Sequence, residues 1–180
     1  MAAFWRDGFR ETSVKALAEQ LGITRSSFYN AFGSHEAMFL EALDRYLERS
    51  PDSAFAEQAP EGSVCALISE TFRTICANLE TDPDAKGCLA VNSVSALCHV
   101  DESLGPKVAA AMLNRLQRIE NLLGLAVRRG ELPNDTDIKA TALAVKALLV
   151  GLNSMAKVLT DRGALWPAAR ASLNALGIDR

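Results

Sequence analysis

From Ala140 to Leu159 the chain is apolar on nearly every side of a helix, interrupted by Lys146, Asn153 and Lys157. Such a helix has to be covered on more than one face, which demands packed helices and a further surface to bury against. Its length also suits a membrane span of about 20 residues, but two lysines inside it argue against lipid, and no membrane partner is expected. The remainder of the 180 residues supports a packed fold, with 49% apolar and 23% charged side chains. Ala and Leu abound, aromatics are few, and alternating β-branched runs are missing, so the expected class is all-α.

Two breaks organise the chain. Ser50-Pro51-Asp52-Ser53 ends one helical stretch and Ala59-Pro60-Glu61-Gly62 opens the next. A small domain is therefore expected over residues 1–50 and a larger one over 60–180. In the larger domain, Val64, Leu67, Ile68, Phe72, Ile75 and Leu79 form one stripe. Helices are expected to follow over 86–99, 106–129, 135–160 and 164–176, separated by Pro- and Gly-containing breaks.

The small domain carries the sharpest pattern. Thr12-Ser13 stands before Val14, Leu17, Ala18 and Leu21, Gly22 stops that helix, and Thr24 caps a second one holding Phe28 and Ala31. Ala18 gives the small side chain that two steeply crossing helices need at their contact, and Gly22 tolerates the turn. Leu17, Leu21, Ile23 and Phe28 are expected to fill the wedge between them. Thr24, Arg25, Ser26, Ser27, Tyr29 and Asn30 then point outward, as hydrogen-bonding and phosphate-binding types at the head of a DNA recognition helix. Charge does not advertise this. Residues 1–50 hold six Lys/Arg against seven Asp/Glu, and the whole chain is −3. Backbone amides at helix N-termini bind phosphate without side-chain charge, so placement outweighs the count.

Three segments in order, Phe4-Trp5-x-x-Gly8-Phe9-x-x-Thr12-Ser13-Val14, Gly22-Ile23-Thr24-Arg25-Ser26-Ser27-Phe28-Tyr29 and Phe32-Gly33-Ser34-x-Glu36, resemble the DNA-binding signature of TetR-family transcriptional regulators. The resemblance is dense over residues 4–47 and architectural beyond. It implies an N-terminal three-helix helix-turn-helix domain and a C-terminal bundle that binds a ligand and dimerises through its last two helices. It implies a repressor that leaves a palindromic double-stranded DNA operator when a small hydrophobic or electrophilic molecule binds. It also implies phosphate contacts from Thr12 or Ser13, from Tyr29, and from the residue at 35. That last position is usually lysine in the family and is His35 here, so weaker, more pH-dependent clamping is expected. A plainly solvated histidine fits the sequence equally well. Family members begin their first helix earlier, whereas this sequence enters it at Met1-Ala2-Ala3-Phe4-Trp5, and lowered DNA affinity is expected from that.

Four cysteines, at 65, 76, 88 and 98, make no Cys-x-x-Cys pair and follow no secretory signal, so reduced thiols in a cytoplasm are expected. Gly87-Cys88-Leu89-Ala90-Val91-Asn92 followed by Cys98 is similar to a segment of TetR-type regulators that answer electrophiles or oxidants, and Lys157 falls where such proteins place a lysine beside the first cysteine. A neighbouring ammonium would raise the thiolate fraction of Cys88. Cysteine is also a favoured small core residue, so sensing and packing both stand as readings of Cys88 and Cys98. Cys65 and Cys76, eleven apart, read as packing. Cys98-His99 lacks partners at metal spacing, and no metal or cofactor is expected. With two histidines, no Glu-x-x-His repeat, no phosphate loop and no nucleophile triad, the sequence does not suggest an enzyme. The alternative is a helical ligand-binding or interaction module without effective DNA binding.

Overall fold

The structure is a computed structural model that describes residues 1–56 and 60–179. The described residues contain helices and no strand: α1 Ala2–Glu11, α2 Val14–Leu21, α3 Arg25–Phe32, α4 His35–Arg49, α5 Val64–Thr81, α6 Leu89–Leu97, α7 Gly105–Arg128, α8 Ile138–Met155 and α9 Leu165–Ala175, with a 3₁₀ turn at Pro51–Ala56. Their starts are set by side-chain caps. Ser13, Thr24, Ser34, Ser63 and Asp137 each accept a hydrogen bond from the backbone N–H three residues on. Part of the expected break at 59–62 lies outside the described residues.

Packing divides the chain into two compact units, and one segment late in the sequence groups with the N-terminal helices. The first comprises Met1–Ser50 together with Cys88–Ala109, and the second holds Pro51–Gly87 and the chain from Ala110 onward. The late segment brings in α6. It buries Leu89, Ala90, Val91 and Leu97 and packs against α1 and α4, so an apolar helix late in sequence completes the core of the N-terminal helices. It is also shorter than the expected 86–99, because Lys86 is held back in a turn. Its backbone N–H and its ammonium both donate to Asp82, at 2.7 and 2.8 Å. At the other end of α6, α7 starts pressed against it. A Cβ on Gly105 would stand 2.6 Å from the Leu97 carbonyl oxygen, so only glycine fits there.

Within the first unit, α1 is broken at Gly8, where φ is 82° and ψ 172°. The break turns Phe9 towards Phe4 and Phe39, with ring centroids 6.4 and 5.2 Å away, and Phe4 meets Phe39 edge-on at 5.3 Å. This aromatic cluster ties α1 to α4. Phe28, Phe39, Leu43 and Leu97 are fully enclosed.

In the second unit, Val64, Ile68, Phe72, Ile75 and Leu79 of α5 pack with Ile119, Leu123, Ala142, Val145, Leu149, Leu165, Ala169 and Leu173. Both ends of α5 are held from a distance in sequence. Glu131 accepts hydrogen bonds from the Ser63 hydroxyl, the Val64 N–H and the Cys65 N–H at 2.7, 3.1 and 2.9 Å. Arg129 donates to the carbonyls of Pro60 and Gly62 just ahead of the helix. At the far end, Arg162 donates to the carbonyls of Leu79 and Asp82. A carboxylate at the head and a guanidinium at the tail suit the helix dipole at each end.

The Glu131 clamp has a measurable pH signature. Burial pushes its carboxyl up, but the donors from Cys65, Ser63 and Val64 outweigh that and hold it below its ordinary value of 4.5. A carboxyl depressed in the folded state adds stability above its unfolded pKa and loses it as pH falls through the folded one. Glu131→Gln is therefore expected to lower stability by about 1–2 kcal/mol at neutral pH. Urea unfolding curves of variant and wild type should converge in acid, once pH has fallen through the folded-state pKa, which lies below 4.5. A deficit that persists unchanged in acid would show that shape, not charge, makes the clamp.

Two features of this unit break the usual inside-outside order. Arg115 of α7 is nearly enclosed and pairs with Asp52 of the 3₁₀ turn at 2.8 Å. On α8, Lys146 and Asn153 are buried, whereas Ala140, Leu143, Ala144, Ala147, Gly151 and Met155 face outward. Leu143 is 59% exposed, and Val158 just beyond the helix is 70% exposed.

Candidate nucleic-acid interface

The first unit presents a helix-turn-helix built by local geometry. α2 ends at Gly22, whose φ of 67° and ψ of 29° are left-handed, and the N–H groups of Gly22 and Ile23 return to the last carbonyls of the helix. Two residues later Thr24 starts α3. Its hydroxyl accepts the Ser27 N–H at 3.1 Å and shares a hydrogen bond with the Ser27 hydroxyl at 2.9 Å. Phe28 anchors α3 with no exposed surface, while Ala18 and Leu17 are buried beneath it on α2. Arg25, Ser26, Ser27, Tyr29 and Asn30 are all exposed, Tyr29 by half. The outward set and the anchor thus divide as a groove-reading helix requires: one apolar point of attachment and a polar leading edge.

Other expected positions differ. Leu21 and Ile23 do not fill the wedge; they are 48% and 36% exposed. The contact between α2 and α3 closes over Leu17, Ala18 and Phe28, and the left-handed turn carries its two flanking side chains outside it. Thr12 is buried, and its hydroxyl donates to the Gly8 carbonyl at 2.6 Å, so that side chain is occupied in ending α1. Ser13 beside it is exposed and caps α2, accepting the Ala16 N–H at 3.2 Å. Of the pair, Ser13 alone has its side chain and helix start open to a phosphate.

His35, the first residue of α4, is not simply solvated. Its ring stacks on Phe9 at 4.4 Å and lies 5.5 Å from Phe4. Its Nε2 is enclosed and has no hydrogen-bond partner. Sequence reasoning missed this seat because Phe4 and Phe9 reach the ring only through the fold.

The cysteines separate by position. Cys65 and Cys76 are buried in the second unit, and burial, with the Glu80 charge second, pushes the Cys76 thiol up to about 11. Cys88 and Cys98 are half-buried in the first unit, at the N-cap and C-cap of α6. A helix with ten residue steps between them holds their Cα positions about 15 Å apart, well beyond disulfide reach. The fold does not bring them together. Lys157 is exposed and belongs to the second unit. Among the described residues no group of three His, Cys, Asp or Glu side chains could hold a metal ion.

Known proteins match this arrangement along its length. Residues 1–42 match the family described as bacterial regulatory proteins, tetR family. Residues 66–172 match the tetracyclin repressor-like C-terminal domain. The uncharacterized HTH-type transcriptional regulator YezE of Bacillus subtilis is 30% identical over 96% of this chain and 90% of its own. The HTH-type transcriptional repressor ComR of Escherichia coli is 26% identical over 93% and 85%. Among solved structures, a cysteine mutant of the TetR family regulator CifR, complexed with 26-bp double-strand operator DNA, superposes with a TM-score of 0.83 at 28% identity, covering 96% of this chain and 91% of that one. Matched in both halves by one family and along nearly its full length by members of it, the chain belongs to the tetR family of bacterial transcriptional regulators.

Proposed function

We propose that this regulator is a ligand-responsive repressor that holds a palindromic operator as a homodimer and releases it when a small molecule acts on the second unit. The observation that carries the DNA reading is α3, anchored by Phe28 and exposing Arg25, Ser26, Ser27, Tyr29 and Asn30 from a capped start. Thr24 and Ser13 add open helix starts for phosphates. That ComR is named a repressor and that CifR was solved on operator DNA supports the same direction. The pairing surface we assign to α8 and α9, because α8, besides the apolar side it buries, carries a second one of Ala140, Leu143, Ala144, Ala147 and Met155 that faces outward. The work of such a protein is in the cytoplasm, where the chromosome is.

The test begins with DNA selected from a random pool by the purified dimer. Arg25→Ala and Tyr29→Ala are each expected to weaken binding to it by about 5- to 150-fold, the worth of about 1–3 kcal/mol per lost contact. Affinity should also fall steeply as salt rises. If both variants bind like wild type, α3 is not the reading helix. A flat salt response would favour a module that does not use DNA at all.

Release is proposed to follow movement of α4 that changes the spacing of the two reading heads. For the inducer we propose a small hydrophobic or electrophilic molecule, with Cys88 as its point of attack. Cys88 is half-exposed at the start of α6, the helix that packs on α1 and α4, so an adduct there would bear on the DNA-binding unit. The distance to Cys98 favours single-site modification of Cys88 over an intrachain disulfide. Mild hypochlorite or a quinone is expected to modify Cys88 ahead of Cys65 and Cys76 in a mass spectrum and to release DNA. A Cys88→Ser protein that releases DNA as readily as wild type would end the idea.

A further inference from the structure

We propose that Thr12 is a positioning residue for sequence readout: its buried hydroxyl latches α2 to the broken end of α1, and the latch sets the pose in which α3 meets base edges. The proposal rests on the DNA-binding reading above and gives Thr12 a part in specificity without any contact to DNA.

The latch is built from two departures at the end of α1. Gly8 leaves helical geometry, with φ 82° and ψ 172°. An unbroken helix would pair the Gly8 carbonyl with the N–H of Thr12. Here that N–H goes to the Phe9 carbonyl at 3.4 Å, and the Thr12 hydroxyl donates to the Gly8 carbonyl in its place at 2.6 Å. A side chain thus supplies the bond that the break removes. Thr12 is 3% exposed, which shuts its hydroxyl away from any phosphate. Its backbone is extended, and the next residue, Ser13, already caps α2. With no slack between latch and helix, α2 leaves in the direction that Thr12 sets.

What hangs from this joint is the reading pair. α1 is fixed to α4 by the rings of Phe4, Phe9 and Phe39. α2 packs on α3, over Leu17, Ala18 and Phe28, and α3 packs on α4. The α2–α3 pair is therefore held at two points, the Thr12 joint and the contact of α3 with α4. With the joint loosened, the pair pivots on α4, and the exposed edge of Arg25, Ser26, Tyr29 and Asn30 shifts against the groove. Phosphate contacts carry no sequence information, whereas base edges discriminate only through donors and acceptors that meet in register. Such a pivot costs specificity more than bulk affinity.

The experiment compares Thr12→Val, which keeps the branched shape and loses the hydroxyl, with Thr12→Ser, which keeps the hydroxyl and loses a methyl. Affinity of each full-length protein is measured at fixed salt for a duplex that wild type selects from a random pool, and for a scrambled duplex of equal length and composition. The ratio of the two affinities is the readout. A lost phosphate contact weakens both duplexes alike, and partial unfolding lowers the active fraction on both alike, so neither moves the ratio. Thr12→Val is expected to lower it by about tenfold, the worth of one well-made base contact, and Thr12→Ser to hold it within about twofold of wild type. Proton NMR of wild type, free and on the selected duplex, keeps the test independent of how the variants fold: the Thr12 hydroxyl proton should exchange slowly with water in both states. An unchanged ratio in Thr12→Val, a loss in Thr12→Ser as large as in Thr12→Val, or a fast-exchanging hydroxyl would overturn the proposal while leaving DNA binding intact. A wild type that prefers no sequence over its scramble would overturn the DNA reading and this proposal together.

Discussion

A single glutamate at Ala147 is expected to turn the dimer into monomers and to weaken operator binding by about a hundredfold or more. Ala147 lies mid-way along α8 on the side where Ala140, Leu143, Ala144, Gly151 and Met155 face outward. In a two-fold interface each substitution is presented twice, near the axis against its own copy. Two carboxylates would then be taken from water without partners, and each such burial costs several kcal/mol. Small residues let helices approach closely, so the larger side chain adds a steric penalty to the electrostatic one. Operator affinity falls with the dimer because the second half-site is no longer bound from the same molecule. The loss is the effective-concentration gain of about 10²–10⁴. Ala147 is exposed on the protomer, so monomeric Ala147→Glu should keep its helical circular dichroism. Sedimentation velocity and a DNA shift assay on the same preparation check both halves. A variant that sediments as a dimer and binds operator normally would remove α8 from the interface.

The second large effect is expected at the Asp52–Arg115 pair. Asp52→Ala leaves the Arg115 guanidinium enclosed without its 2.8 Å partner. Breaking one side of such a buried pair costs about 3–5 kcal/mol. For a chain of this size that corresponds to a fall in Tm of about 6–20 °C at constant protein concentration. The reverse expectation makes the test specific. Asp52→Leu with Arg115→Met removes both charges and should recover most of the loss, because well-packed apolar pairs often equal or exceed buried ion pairs. An Asp52→Ala protein that loses less than about 1 kcal/mol would mean that water or another group replaces the carboxylate at no great cost. Because Pro51–Ala56 directly follows α4 in the chain, the double variant also asks whether the charges matter for release. A stable protein that no longer answers the proposed inducer would locate the response in the pair.

Much of this regulator was legible along the chain. The caps Ser13 and Thr24, the left-handed Gly22, the buried Phe28 and the exposed Arg25, Ser26, Ser27, Tyr29 and Asn30 all follow from neighbours a few positions away. The over-apolar α8 could be recognised from its period alone. Harder to see was the order on its two sides, with Lys146 and Asn153 turned in and Leu143 out. Hydropathy told that more than one face of the helix is apolar, not which of them meets the core.

What the amino-acid order determined without help was the class of fold, the helix-turn-helix and the exposed polar edge of its second helix, because capping, turn handedness and helical period act within about one or two turns. The tertiary structure alone decided that α6 joins α1 and α4, that Glu131 and Arg162 hold the ends of α5, that Asp52 meets Arg115, and that His35 sits on Phe9. Each of these joins separate elements, in most cases residues more than twenty apart, and depends on where helices cross. No local rule carries that information, since it comes from how a whole set of apolar faces is enclosed at once.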